Sequence, residues 1–162
     1  MCVSFLTHIT LCQNADMSQD GIDLRTSLGY LLKEAASALR GAMEEALRPL
    51  DMTITRYSCL ELLAQRPGLS NSDLARGAFV TRQSMNVLLQ QLEREGLIVR
   101  ATEAPVGKAL PTDLTPSGRE RLESATAAVR AVEKRMLSGM SAHDQDVAFR
   151  MLRGMVESLR GD

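Results

Sequence analysis

SNSDLARGAFVTRQSMNVLLQQLEREGL, residues 70–97, is the stretch whose reading decides the fold. Ser70 and Asp73 stand three positions apart, the spacing at which a hydroxyl caps backbone N–H groups while a carboxylate reaches back toward it. A helix is therefore expected to start near Ser70, with Leu74 and Ala75 as its small apolar face. Gly77 is expected to take the backbone angles that end this helix and turn the chain. After a tight turn through Ala78, Phe79 and Val80, Thr81 has the chemistry of a second N-cap. Met85, Leu88, Leu89 and Leu92 then recur at helical spacing and would bury one stripe against the first helix.

On a wheel of about 100° per residue, the face opposite that stripe carries Gln83, Asn86, Val87, Gln90 and Arg94, with Arg82 and Ser84 flanking it in the first turn. These side chains suit base edges in a major groove: Asn and Gln pair bidentately with adenine, Arg pairs with guanine, and a small apolar group such as Val87 meets a thymine methyl. The same pattern also reads as a plain solvated face, since every amphipathic helix has a polar side. Residues further along the chain favour the first reading.

After Gly96 the run LIVRAT has strand character, a loop passes through Pro105 and Gly107, and ALPTDLT alternates at Leu110, Thr112 and Leu114. The order is helix, turn, helix, then a two-stranded wing. With PGLSNSDLAR, VTRQSMNVLLQQLEREGLI and LTPSGRERL as the motifs that carry it, the sequence from Leu24 to Leu159 resembles the multiple-antibiotic-resistance regulator (MarR) family of winged-helix transcription factors. The resemblance implies a mainly α fold with a small β wing, a winged helix-turn-helix flanked by long dimerisation helices. It implies that Thr81 to Glu95 enters a major groove of double-stranded DNA with Arg82, Gln83, Ser84 and Asn86 as readers, and that the wing reaches the adjacent minor groove. It also implies a homodimer, and a small aromatic or phenolic effector bound between the dimerisation helices and the winged unit, for which Tyr30, Met52, Arg56 and Tyr57 are the candidates. Arg56 would pair an anionic group there. The chain departs from the family in its wing, where an aspartate and a pair of arginines are usual and APVGKAL stands instead, leaving Lys108 as the basic group expected to approach phosphate or the minor groove.

The flanking segments explain the dimer. Leu24, Leu28, Leu31, Ala35, Leu39, Met43, Ala46, Leu47 and Leu50 mark a long amphipathic helix ahead of the winged unit. Beyond it Thr115 and Pro116 open a helix whose stripe runs through Leu122, Ala125, Val129, Val132, Met136 and Met140. Ser141 with Asp144 opens a last helix, which is expected to place Val147, Met151, Leu152, Met155, Val156 and Leu159 on its buried side. Three such helices need more apolar cover than one small core offers, and a second copy supplies it; a monomeric helical bundle is the competing arrangement. The expected organisation is a leader over residues 1–22 and a single domain over 23–160, with dimerisation helices 23–50 and 116–160 around a winged helix-turn-helix at 53–115.

Composition narrows the classes. The chain has 162 residues, 44% hydrophobic and 24% charged, which suits one globular domain, and a net charge of -1, which gives no global attraction to nucleic acid. From Ser70 to Arg100, Arg76, Arg82, Arg94 and Arg100 outnumber Asp73, Glu93 and Glu95 by one. Any DNA affinity must come from local arrangement, and a shallow salt dependence follows. Three cysteines, Cys2, Cys12 and Cys59, form no disulfide framework and fit a reducing cytoplasm. Cys59 reads as a small buried apolar residue, with a redox-responsive regulator as the alternative. His8 and His143 are the only histidines, too far apart in sequence for a clustered metal site, and no phosphate loop or nucleophile elbow is present, so neither metal, cofactor nor enzymatic activity is expected. Residues 1–16 are apolar without a basic start and too short to span a bilayer; translation is expected to begin at Met17, with the leader an upstream artefact or a disordered arm. A winged protein-interaction module that does not bind specific DNA is the remaining class.

Overall fold

The computed structural model of the chain describes residues 23–100 and 112–161. Its element order is α1 (Leu28–Leu47), a 3-10 turn (Arg48–Leu50), α2 (Ile54–Gln65), α3 (Asn71–Gly77), α4 (Arg82–Arg94), β1 (Ile98–Arg100), β2 (Thr112–Leu114), α5 (Pro116–Met136) and α6 (Ala142–Arg160). The leader and the wing loop with Lys108 lie outside the described residues.

Hydroxyl caps set where the helices begin. Ser27, Thr53, Ser70, Thr81, Thr115 and Ser141 each sit at an N-cap in extended backbone and accept the N–H of the residue three positions on. Ser27 corrects one expectation: the first long helix starts at Leu28 and not at residue 23, because the cap fixes its first turn and Asp23 to Thr26 form a turn closed by the Thr26 N–H on the Asp23 carbonyl at 3.1 Å. At its other end Pro49 tightens the last residues into the 3-10 turn.

Left-handed residues set where helices end. After α3 the Val80 N–H reaches the Ala75 carbonyl at 2.9 Å and the Phe79 N–H reaches Arg76 at 3.3 Å, a Schellman arrangement with Phe79 at φ 56. After α4 the same pair of bonds runs from Leu97 to Leu92 and from Gly96 to Glu93, with Gly96 at φ 71. The turn of the helix-turn-helix thus rests on Phe79, not on Gly77 as the sequence suggested. Gly77 stays helical, and its lack of a side chain serves packing: a Cβ there would lie 2.7 Å from Leu62 Cδ1.

The core forms where α2, α3, α4 and the base of the wing meet α5. Leu60, Leu63, Leu74, Met85, Leu89 and Leu92 are its largest enclosed side chains, with Leu47 from the end of α1, and Cys59 sits among them. The two strands pair antiparallel, Ile98 opposite Leu114, Val99 opposite Asp113 and Arg100 opposite Thr112. Ile98, Thr112 and Leu114 face inward, and Val99 and Asp113 face out. Thr115, just past β2, joins three elements: its N–H donates to the Leu97 carbonyl at 3.1 Å, its hydroxyl donates to the Gly96 carbonyl at 2.7 Å, and it accepts the Gly118 N–H at 3.0 Å.

The outer helices share little of this core. Leu47 is the one buried residue of α1, whose first turns expose Leu28, Leu31 and Leu32, and α6 has no buried residue. The expected buried side of α6 is therefore not buried within one chain: Val147 and Met155 are half-buried, while Met151, Leu152, Val156 and Leu159 are exposed. The periodicity is real, but the surface that would cover it is not supplied by the rest of the chain.

Gly118 allows the closest approach in the fold, since a Cβ there would lie 2.0 Å from the Leu97 carbonyl oxygen. Replacing Gly118 with Ala is expected to cost about 3 kcal/mol or more, because backbone must move. Gly77→Ala should cost less, since the obstructing atom ends a flexible leucine. Denaturant midpoints of the two variants check the order, and equal losses would refute it.

Candidate nucleic-acid interface

The candidate reading helix, α4, is fixed at both ends before any of its outer side chains is considered. At its start Thr81 accepts the Ser84 N–H at 3.1 Å and shares a 2.9 Å hydrogen bond with the Ser84 hydroxyl. Asn71, at the start of α3, donates from Nδ2 to the Arg82 carbonyl at 3.2 Å and so ties the two helices together. At the far end Arg56 of α2 forms an ion pair with Glu95, with 18% of the Arg56 side chain exposed. Neither Asn71 nor the Arg56 and Glu95 pair stands out in the sequence, because each links positions whose proximity only the fold creates.

One side of α4 is buried through Met85, Leu88, Leu89 and Leu92, the stripe read from the sequence. On the other side Arg82, Gln83, Ser84, Val87 and Gln90 are exposed, and Asn86 is half-buried. Val87 keeps 48% of its surface in solvent, an apolar group offered outward among polar ones. Arg94 is exposed, but its Nε donates to the Gln90 carbonyl at 3.1 Å, which folds the guanidinium back along the helix. The Ser84 hydroxyl is likewise engaged with the Thr81 cap. The freest hydrogen-bonding groups on this face are thus Arg82, Gln83, Asn86 and Gln90.

Behind it, α3 is stiffened by its own cap. The Ser70 hydroxyl donates to the Asp73 carboxylate at 2.6 Å, and Arg76 reaches the same carboxylate at 3.2 Å. The serine hydroxyl, more than the arginine, holds the Asp73 acid below the usual carboxylate range. That support is present at neutral pH and fades as pH falls through the lowered value.

The four candidate effector residues are differently placed. Tyr30 lines a hollow built by residues 24–34, with none of the other three. Met52 belongs to the core, and Arg56 is occupied by Glu95. The Tyr57 phenol is pushed above its usual range, mainly by burial, although a hydrogen bond to Thr126 works the other way. Thr126 in turn donates to Glu61 at 3.2 Å, beside a cavity of about 380 Å³ between α2, β2 and α5 that also takes in Arg119 and Arg130. Among the described residues there is no group of three or more His, Cys, Asp or Glu side chains able to hold a metal ion, and no helix is long and apolar enough to cross a membrane.

Comparison with known proteins points the same way. A family model described as the MarR family matches residues 50–109. The chain is 41% identical over 135 residues to the HTH-type transcriptional repressor Rv2887 of Mycobacterium tuberculosis, a match covering 83% of this chain and 94% of that relative. Among solved structures it is similar to the M. tuberculosis MarR family protein Rv2887 in complex with DNA, at 40% identity and a TM-score of 0.65, covering 80% of this chain and 97% of the other. The same protein in complex with salicylic acid matches at 42% identity and a TM-score of 0.65, covering 80% and 96%.

Two measurements test this architecture. Glu95→Gln strips the countercharge from a largely covered guanidinium and is expected to lower stability by about 1 kcal/mol; the loss should vanish when Arg56 is already Gln, and persistence there would remove the pair from the account. Burial pushes the Cys59 thiol up to about 12, leaving on the order of one thiolate in ten thousand at pH 8. With Cys2 and Cys12 changed to Ser, a thiol reagent should label native Cys59 no faster than the chain unfolds.

Proposed function

This chain belongs to the MarR family, and from that premise we propose that it is a sequence-specific DNA-binding transcriptional regulator, a homodimeric repressor of an inverted-repeat operator relieved by a small aromatic or phenolic effector. The single observation that carries the reading is the outer face of α4, where Arg82, Gln83, Asn86 and Gln90 stand around Val87 on a helix held at both ends. Preorganised side chains lose little freedom on meeting DNA, so their hydrogen bonds go into discrimination between base pairs. Thr81 and Ser84 secure the start of that helix, Arg94 supplies charge near its end, and Lys108 in the wing loop is assigned to phosphate or the minor groove.

A second copy follows from the exposed leucines of α1 and from α6. Covering both in a symmetric pair gives two recognition helices roughly 34 Å apart, one duplex turn, and hence a palindromic site. The functional unit is residues 23–160 as one domain. It acts by binding and not by catalysis, in the cytoplasm, without a resident cofactor. The relative known in complex with both DNA and salicylic acid supports DNA and a small aromatic effector as ligands of this chain. The effector would engage the dimer and shift the spacing of the two reading helices.

The test is mutational. Against an operator selected from random duplexes, Arg82→Ala and Asn86→Ala are each expected to weaken binding by about 1–3 kcal/mol. Arg121→Ala, which removes the same charge from the exposed side of α5, should leave it within about 0.5 kcal/mol. Equal losses at Arg82 and Arg121, or no preference for any duplex, would reject sequence reading by α4.

A further inference from the structure

The winged unit carries a second surface that α4 does not use. Between the end of α2, the outer side of α3, the turn after it and the last residues of α6 lies a groove of about 680 Å³. Its apolar lining is Leu62, Leu69 and Phe79, and its charged rim is Arg66, Arg76 and Arg160 against the single carboxylate of Asp73. Three guanidinium groups and one acid leave a local charge of +2 in a chain whose net charge is -1. One amino group of Arg76 already holds Asp73 at 3.2 Å.

Phe79 makes the surface unusual. It is 86% exposed, and it occupies the left-handed position of a helix end, φ 56, where glycine is the ordinary residue. A large aromatic ring there costs backbone strain and leaves apolar area in water, and nothing in the chain's own packing offsets either. A ring laid against it from outside would cover that area. The guanidinium fork matches a carboxylate in plane and spacing, and the groove's volume lies within the ordinary range for small-molecule sites.

We propose that this groove binds a small organic anion, a flat apolar body bearing one carboxylate, with the carboxylate held by Arg66, Arg76 and Arg160 and the body resting on Leu62, Leu69 and Phe79. The site is separate from the DNA-reading face and does not depend on it. Phe79 lies two residues before the Thr81 cap of α4, so an occupant touches the turn that leads into that helix.

The experiment is calorimetric titration of the full chain, without DNA, using 2-naphthoate, its uncharged amide and inorganic phosphate as probes. Wild type is expected to take one 2-naphthoate per chain, and the amide at least about tenfold more weakly. Arg66→Gln with Arg76→Gln should weaken 2-naphthoate at least about tenfold, and Arg160→Gln should weaken it measurably. Phe79→Gly suits the backbone at that position, so it folds even if the double variant does not; it should also weaken binding, by removing the ring. The proposal is overturned if wild type fails to bind at millimolar concentration, or if the double variant folds and binds unchanged. It is equally overturned if Phe79→Gly binds unchanged, if only Arg56→Gln abolishes binding, or if phosphate competes as strongly as the naphthoate. Loss of operator preference in the α4 variants, with naphthoate binding intact, would separate failure of the DNA reading from failure of this one.

Discussion

The contact on which the structure depends is the seating of α5 on the backbone at Gly96 and Leu97. Those two residues end α4, and Thr115 and Gly118 begin α5 against them, with hydrogen bonds to both carbonyls and no room for a side chain at position 118. Ile98 and Leu114, the first rung of the wing, adjoin the same junction. The reading helix, the wing and the long helix that leads away from them are thereby referenced to one point. Fixed geometry at that point allows a few side chains on α4 to be presented in a constant register.

At its other end α4 is held by weaker and more polar means. Asn71 donates across the turn, while its Oδ1 is buried without a partner among the described residues, as is Arg56 Nε at the opposite end. Buried polar groups that are only partly satisfied are costly, and they define a preferred arrangement without making it deep. The winged unit therefore combines a rigid apolar stripe with polar ties that a modest perturbation could rearrange.

Most of the local structure was legible in the residues, because caps and stripes act over three or four positions. Ser70, Thr81, Thr115 and Ser141 all cap as their spacing predicts, and Met85, Leu88, Leu89 and Leu92 are buried together. Two features were read incorrectly for the same reason. A glycine signals either backbone freedom or close approach, and at Gly77 the sequence favoured the first while packing against Leu62 required the second. Phe79, which no propensity would select for a left-handed turn, was left with that role. The ties through Asn71, Arg56 and Glu95 were not legible, since residues 39 positions apart meet only once the chain has folded. The effector candidates chosen by analogy scatter among a hollow, the core and an ion pair, whereas the arginines of the corner groove lie on three elements and form no motif.

The bare outer helices have one further consequence. Because α6 contributes nothing to its own chain's core, the free energy that keeps it folded must be drawn from assembly, and assembly obeys mass action. Each tenfold dilution weakens a two-chain complex by about 1.4 kcal/mol. A regulator built in this way reports its own abundance: scarce copies are less stable, more easily degraded and less able to hold a paired site, so its silencing would set in over a narrow range of copy number.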